Sequence, residues 1–275
     1  MPAFPPFPQA QSRLGVLGVA YDQGSSYLRG AALAPRLIRA AFFCESANLW
    51  TENETNLGAP GIFADAGDLA PLPETMPAEV ERAAAELHQA GLKVLALGGD
   101  HSITYPLLRA AATHFPALSL LHFDAHPDLY ADFEGNPYSH ASPFARIMEA
   151  GLVKRLVQVG IRTMTGHQRQ QAERYGVEVL TMRSWQQVFD LRFETPLYLS
   201  FDLDCLDPAF APGISHHEPG GLSTREALSV IQALRAPIVA ADLVEFNPTR
   251  DPSGMTAMVC AKIFKELAVK MLENH

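Results

Sequence analysis

Cysteine is scarce in this chain of 275 residues. The three present, Cys44, Cys205 and Cys260, form no C-x-x-C pair and no disulfide framework. That excludes a zinc ribbon or a disulfide-stapled fold and fits a reducing compartment. Basic charge is also thin. Lys and Arg number 21 against 30 Asp and Glu, the formal net charge is −9, and no basic block exists. Nothing therefore points to nucleic acid as a partner. No apolar run approaches the roughly 20 residues of a membrane span, so no membrane partner is expected. The opening MPAFPPFPQAQ is rich in proline, yet it lacks the basic and apolar regions of a secretory leader and the Arg-rich pattern of a transit peptide. These absences together predict a cytoplasmic protein. They also predict a Pro-rich N-terminal arm over residues 1–12, disordered or packed on a neighbouring subunit, ahead of one domain over 13–275.

Apolar content of 48% and charge content of 19% are those of a globular protein. Strand-like runs (Leu14–Val19, Ile62–Ala66, Lys93–Leu97, Leu118–Phe123, Arg155–Gly160, Val177–Leu180, Leu197–Phe201, Ile238–Val244) alternate with helical patterns. Pro35 opens one helix, Gly91, Gly151 and Gly176 stop others, and Ser223 with Glu226 forms a capping box. Regular βα alternation predicts an α/β fold: a single three-layer α/β/α domain with a mainly parallel sheet.

Acidic and histidine residues follow the strands. The clusters are GGDHS (Gly98 to Ser102), DAHPD (Asp124 to Asp128), FDLDCLDP (Phe201 to Pro208) and EFNP (Glu245 to Pro248), with His140 isolated in YSHAS. Ligands of parallel α/β sheets bind beyond the carboxyl ends of the strands, so remote motifs can converge there. In an extended segment alternate side chains share a face, which lets Asp124, His126 and Asp128 address one site. Asp202 and Asp204 repeat that spacing, and His101 adds a second imidazole. Two imidazoles and four carboxylates are too many for one tetrahedral ion and suit two hard divalent ions with shared carboxylates. A metal-assisted hydrolase is the leading expectation. Asp100 and Asp207 read as caps or turn anchors, and His122 and Cys205 as structural.

GGDHS, DAHPD, SFDLDCLDPAFAPG and EFNP together resemble the ureohydrolase family of arginases, agmatinases and related guanidino hydrolases. The resemblance runs from about Leu14 to the end and is finest with plant-type arginases, through DLYADFEGNPYSHASPFARIMEAG, APGISHHEPGGLS and VEFNPTRDPSGMTAMVCAKIFKELA. It implies the ureohydrolase fold and two Mn²⁺ per subunit, which acidify a shared water for attack on a guanidinium carbon. By motif, His101 and Asp128 would serve one ion, His126 and Asp204 the other, and Asp124 and Asp202 both. The protein ligands alone do not separate Mn²⁺ from Co²⁺ or Ni²⁺. Glu245 would bind the substrate guanidinium, and His140 would carry protons to the leaving amine.

Tyr130, Thr163 and Thr165 depart from the animal arginase pattern, and Gly213 to Glu218 departs from the agmatinase one. Asn136 is the candidate contact for the amino-acid end of the substrate. The expected reaction is hydrolysis of L-arginine to L-ornithine and urea. The alternatives are agmatine, guanidinobutyrate or another ω-guanidino substrate and, further off, a non-catalytic metal-binding protein of this fold. The resemblance also implies a homo-oligomer, trimeric or hexameric.

Overall fold

The computed structural model describes residues 3–7 and 11–273. Eight strands form one sheet: β1 (Leu14–Val19), β2 (Phe63–Leu69), β3 (Lys93–Leu97), β4 (Ser119–Phe123), β5 (Arg155–Ile161), β6 (Glu178–Thr181), β7 (Leu197–Asp202) and β8 (Ile238–Val244). Their order is β2-β1-β3-β8-β7-β4-β5-β6 and every pairing is parallel. The expected mainly parallel sheet is thus wholly parallel. β3, β4, β7 and β8 are almost entirely buried, as strands covered on both faces must be.

Helices close both faces. α1 (Ala34–Phe42), α6 (Thr224–Ala233) and α7 (Met255–Leu272) pack on one side, where Ile38, Leu228 and Phe264 share a core with Leu95, Leu199 and Leu243. α2 (Met76–Gln89), α3 (Thr104–His114) and α4 (Pro143–Glu149) pack on the other, where Val80, Leu107 and Phe144 meet Leu17, Tyr198 and Val244. α5 (Gly166–Tyr175) adds Ala172 to that second core. The capping box at Ser223 and Glu226 is present. A second one, at Thr165 and Gln168, starts α5. No helix of the described residues is long and apolar enough to cross a membrane.

The N-terminal arm, where described, packs on its own domain. Phe4 is buried against Phe42, Phe43, Phe63 and Phe264, with centroids 4.7–5.6 Å away. Asp65 N donates to Pro5 O (2.7 Å) and Phe7 N to Asp65 O (2.8 Å), which extends the sheet at its β2 edge.

Strand order decides where the motifs meet. The four strands preceding GGDHS, EFNP, FDLDCLDP and DAHPD are neighbours in the centre of the sheet, as β3-β8-β7-β4. Parallel pairing then sets their carboxyl ends side by side.

Candidate metal centre

GGDHS turns sharply after β3. A Cβ on Gly99 would lie 1.7 Å from the Tyr21 carbonyl oxygen, so only glycine lets the chain pass. Asp100 caps the short turn that follows and accepts from Ser102 N (3.1 Å). His101 is thereby driven into the sheet end with no exposure. Its Nδ1 lies 3.0 Å from Asp202 Oδ2, 3.2 Å from Asp128 Oδ2 and 3.4 Å from Asp124 Oδ2. That nitrogen is buried and has no hydrogen-bond partner. Across Asp124, His126 Nδ1 lies 3.3 Å from Asp124 Oδ1 and 3.0 Å from Asp204 Oδ2. Three groups of potential ligands result among the described residues, His101–Asp124–Asp128–Asp202, Asp124–His126–Asp204 and His101–His122–Asp124. Asp124 belongs to all three, whereas Asp202 belongs to the first alone and its Oδ1 accepts from Asp204 N (2.8 Å).

The charges show what kind of ion the centre suits. Burial, together with repulsion from Asp204 and Asp124, pushes Asp202 well above the usual carboxylate range. Burial and Asp124 push Asp204 up to about 6. Burial opposes charge on His101 and His126, yet the surrounding carboxylates hold both imidazoles well above their ordinary value. Carboxylates this crowded call for positive charge among them. A bare, buried imidazole nitrogen facing three carboxylate oxygens, beside a second nitrogen facing two, suits two divalent cations.

Asp124 is itself held. His122, buried and stacked on Phe144 at 3.8 Å, contacts Asp124 Oδ2 through Nε2 at 2.8 Å. Gln158 Nε2 lies 3.0 Å from the other ring nitrogen and donates to Pro127 O (2.6 Å). An amide donor at Nδ1 leaves the His122 proton on Nε2, directed at Asp124. His122 therefore orients a ligand, beyond the structural part its sequence position indicated.

Glu245 and His140 form a pair at the edge of the centre. Glu245 Oε1 accepts from His101 N (2.9 Å) and lies 3.0 Å from His140 Nδ1. On the other side of that ring Ser26 N donates to Nε2 (3.2 Å), with Ser26 Oγ 2.8 Å from the same nitrogen. Burial works against charge on His140, but Glu245 outweighs it and raises the imidazole to about 9. Glu245 and Asp128 are non-glycine residues in the left-handed region, at φ 63° and 47°. Such backbone costs on the order of 1 kcal/mol or more and persists where surrounding contacts fix it.

His126, Asp128, His140, Asp202, Asp204 and Glu245 open into a cavity of about 180 Å³. Its remaining wall includes Ser26, Tyr130, Phe133, Thr163, Gln168 and His216. The structure thus brings His101, Asp124, His126, Asp128, Asp202, Asp204, His140 and Glu245 together. Asn136 is not among the residues that line the cavity. It is exposed on a turn, where its side chain accepts from Tyr138 N (2.9 Å). Asp207 anchors a turn by accepting from Ala209 N and Gly220 N.

Sequence reasoning missed Ser26 and Gln168. Both follow strands, β1 and β5, and Gln168 also completes the T-x-x-Q capping box. Those were the available signals.

Comparison with known proteins agrees with this geometry. The arginase family pattern matches residues 12–269. Arginase 1, mitochondrial, of Arabidopsis thaliana is 46% identical over 95% of this chain and 82% of its own length. The solved arginase of Medicago truncatula superposes with a TM-score of 0.90 at 43% identity, covering 95% of this chain and 88% of that one. An agmatinase of Neisseria meningitidis is 37% identical over 92% of this chain and 85% of its own. The cytoplasmic expectation is corrected here, since the relatives from Arabidopsis, Medicago and rice are named mitochondrial. Unpaired cysteines report a reducing environment without saying which compartment supplies it. With the family pattern along nearly the whole chain and a plant arginase alike in sequence and in fold, this protein belongs to the arginase family.

Proposed function

We propose that the protein hydrolyses L-arginine to L-ornithine and urea. The observation that carries the reading is the bare His101 Nδ1 among three carboxylate oxygens, beside a Glu245–His140 pair that opens into a small cavity. His101, Asp128, Asp124 and Asp202 would hold one cation, and His126, Asp204 and Asp124 the other, with Asp202 shared as the family resemblance implies. Manganese is the proposed ion, since a carboxylate-rich set suits it. Such a pair of cations would supply Lewis acidity and would acidify water at neutral pH.

The chain's own residues bind and position the substrate. Glu245 Oε1 is occupied by His101 N and His140, which fixes the carboxylate and leaves Oε2 for a guanidinium in the cavity. His140 Nδ1, 3.0 Å from Glu245 Oε1, is placed to hold a proton beside the cavity for the departing amine. Ser26 N donates to Nε2, which directs the ring proton of the neutral imidazole to Nδ1 and Glu245, and Ser26 Oγ stands 2.8 Å from the same nitrogen.

Agmatine is the second reading. Among the described residues, no Lys or Arg lines the cavity to meet an α-carboxylate, and agmatine lacks one. Urea release from arginine, agmatine, guanidinobutyrate and guanidinopropionate decides between them. The proposal expects the highest kcat/KM for arginine, and a higher value for agmatine overturns it. A trimeric or hexameric homo-oligomer is proposed on the family resemblance, and light scattering in solution tests it.

A further inference from the structure

Asp242 lies in the middle of β8 with no exposure, among Tyr198, Ala240 and Val244. Among the described residues no cationic side chain forms an ion pair with it. A carboxylate in an apolar layer is costly, and an apolar residue of similar size would pack there at less cost. Its two oxygens are both engaged by β7. Tyr198 Oη donates to Oδ2 (2.6 Å) and Ser200 Oγ donates to Oδ1 (2.7 Å). Tyr198 and Ser200 are two residues apart and share a face, and Ser200 stands opposite Asp242 in the pairing register.

Ser200 Oγ also lies 2.9 Å from His101 Nε2. A serine hydroxyl has one hydrogen, and Asp242 takes it. The contact with His101 must then be donated by the ring. His101 thus carries its proton on Nε2, and Nδ1, the nitrogen that faces Asp124, Asp128 and Asp202, is the one left free for a cation. We infer that Asp242, acting through Ser200, is a positioning residue of the metal centre, which sets the tautomer of His101 and so its capacity to bind a divalent ion. Burial and the neighbouring Asp242 hold the Tyr198 phenol well above its ordinary value, which keeps that group a donor. Outer partners of metal-binding histidines fix ring orientation and basicity in this way.

Asp242→Asn keeps the shape and can turn an NH₂ toward Ser200. The hydroxyl then donates to Nε2, and the ring proton moves to Nδ1, into the carboxylates. Ser200→Ala cuts the chain while leaving Asp242 and Tyr198 in place. Mn²⁺ titration calorimetry on chelator-stripped full-length protein is expected to show each variant weakened about 10- to 100-fold at one of two sites. The double variant should be no weaker than the worse single one, because both changes break one chain. A residue that merely fills the core would give losses that multiply. In Zn²⁺-loaded, diamagnetic wild type, nitrogen-15 shifts of the His101 ring should report a proton on Nε2.

Wild-type affinity in Ser200→Ala overturns the inference, as does a ring that carries its proton on Nδ1 in the loaded protein. Ser200→Ala and the ring shifts decide the matter even if Asp242→Asn fails to fold. The inference rests on reading His101 as a metal ligand. Wild-type protein that binds no divalent ion overturns both readings, whereas two ions in wild type with unaltered variants overturns this one alone.

Discussion

Glu245 Oε1 stands 3.0 Å from His140 Nδ1 while accepting the backbone N–H of His101 at 2.9 Å. One carboxylate oxygen thereby ties the residue proposed to carry protons to the backbone of the residue proposed to hold metal. Glu245→Gln preserves the shape and removes the charge. Loss of a charge-assisted contact to guanidinium should cost on the order of 2–4 kcal/mol in kcat/KM, roughly 30- to 1,000-fold. Metal content should stay near wild type, since no proposed ligand changes. Turnover and metals are to be measured in one preparation. Unchanged turnover removes Glu245 as the anchor, and turnover lost together with the metals assigns it to the metal centre.

Asp124 is common to the ligand group around His101 and the one around His126. Asp124→Asn takes one negative charge from each and should lower occupancy below two ions per subunit. Elemental analysis after dialysis against Mn²⁺ checks this, and two tightly held ions with full turnover would sink the shared role.

Phe4 ties the N-terminal segment to an aromatic cluster. Phe4→Ala removes a buried ring that touches Phe42, Phe43, Phe63 and Phe264, and should destabilise the fold by about 3–5 kcal/mol. Urea unfolding measures it, and a change below about 1 kcal/mol would mean that the arm contributes little to the domain.

His88 makes the fold sensitive to acid at a place far from the cavity. Its ring is buried near the end of α2, with Nδ1 3.1 Å from Leu92 O and Nε2 without a partner. Burial lowers the imidazole to about 4 from its ordinary 6.5. The unfolded chain binds this proton first, so stability is retained above about pH 6.5 and lost as pH falls towards 4. The full loss from this one group is about 3 kcal/mol. Chemical denaturation at pH 7 and pH 5 should show a smaller drop for His88→Asn, whose amide can keep the Leu92 contact. Equal drops in the two proteins would refute the assignment.

Local chemistry carried much of this architecture. Strand β8 falls where its apolar run predicts, and Gly176 and Ser223 end and begin helices as their types require. The motifs at His101, Asp124 and Asp202 could be read because each follows a strand. The sheet order that makes β3, β8, β7 and β4 neighbours could not, since parallel pairing is non-local and leaves no trace in spacing. Gln158 and Asp242 did leave a trace, as polar residues inside otherwise apolar strands. Their partners, His122 and Ser200, become visible only when the strands are laid side by side. Asn136 sits in a motif that pointed to substrate, but its side chain is used within its own turn.

The central claim is that two divalent cations in the His101–His126 centre are needed for guanidino hydrolysis. The most direct measurement strips the protein with chelator, restores Mn²⁺ in steps, and follows bound metal per subunit and urea from arginine in the same samples. The account predicts negligible turnover in the stripped protein and full turnover only as occupancy reaches two. Undiminished urea formation from stripped protein, or a maximum reached with one ion per subunit, would contradict it.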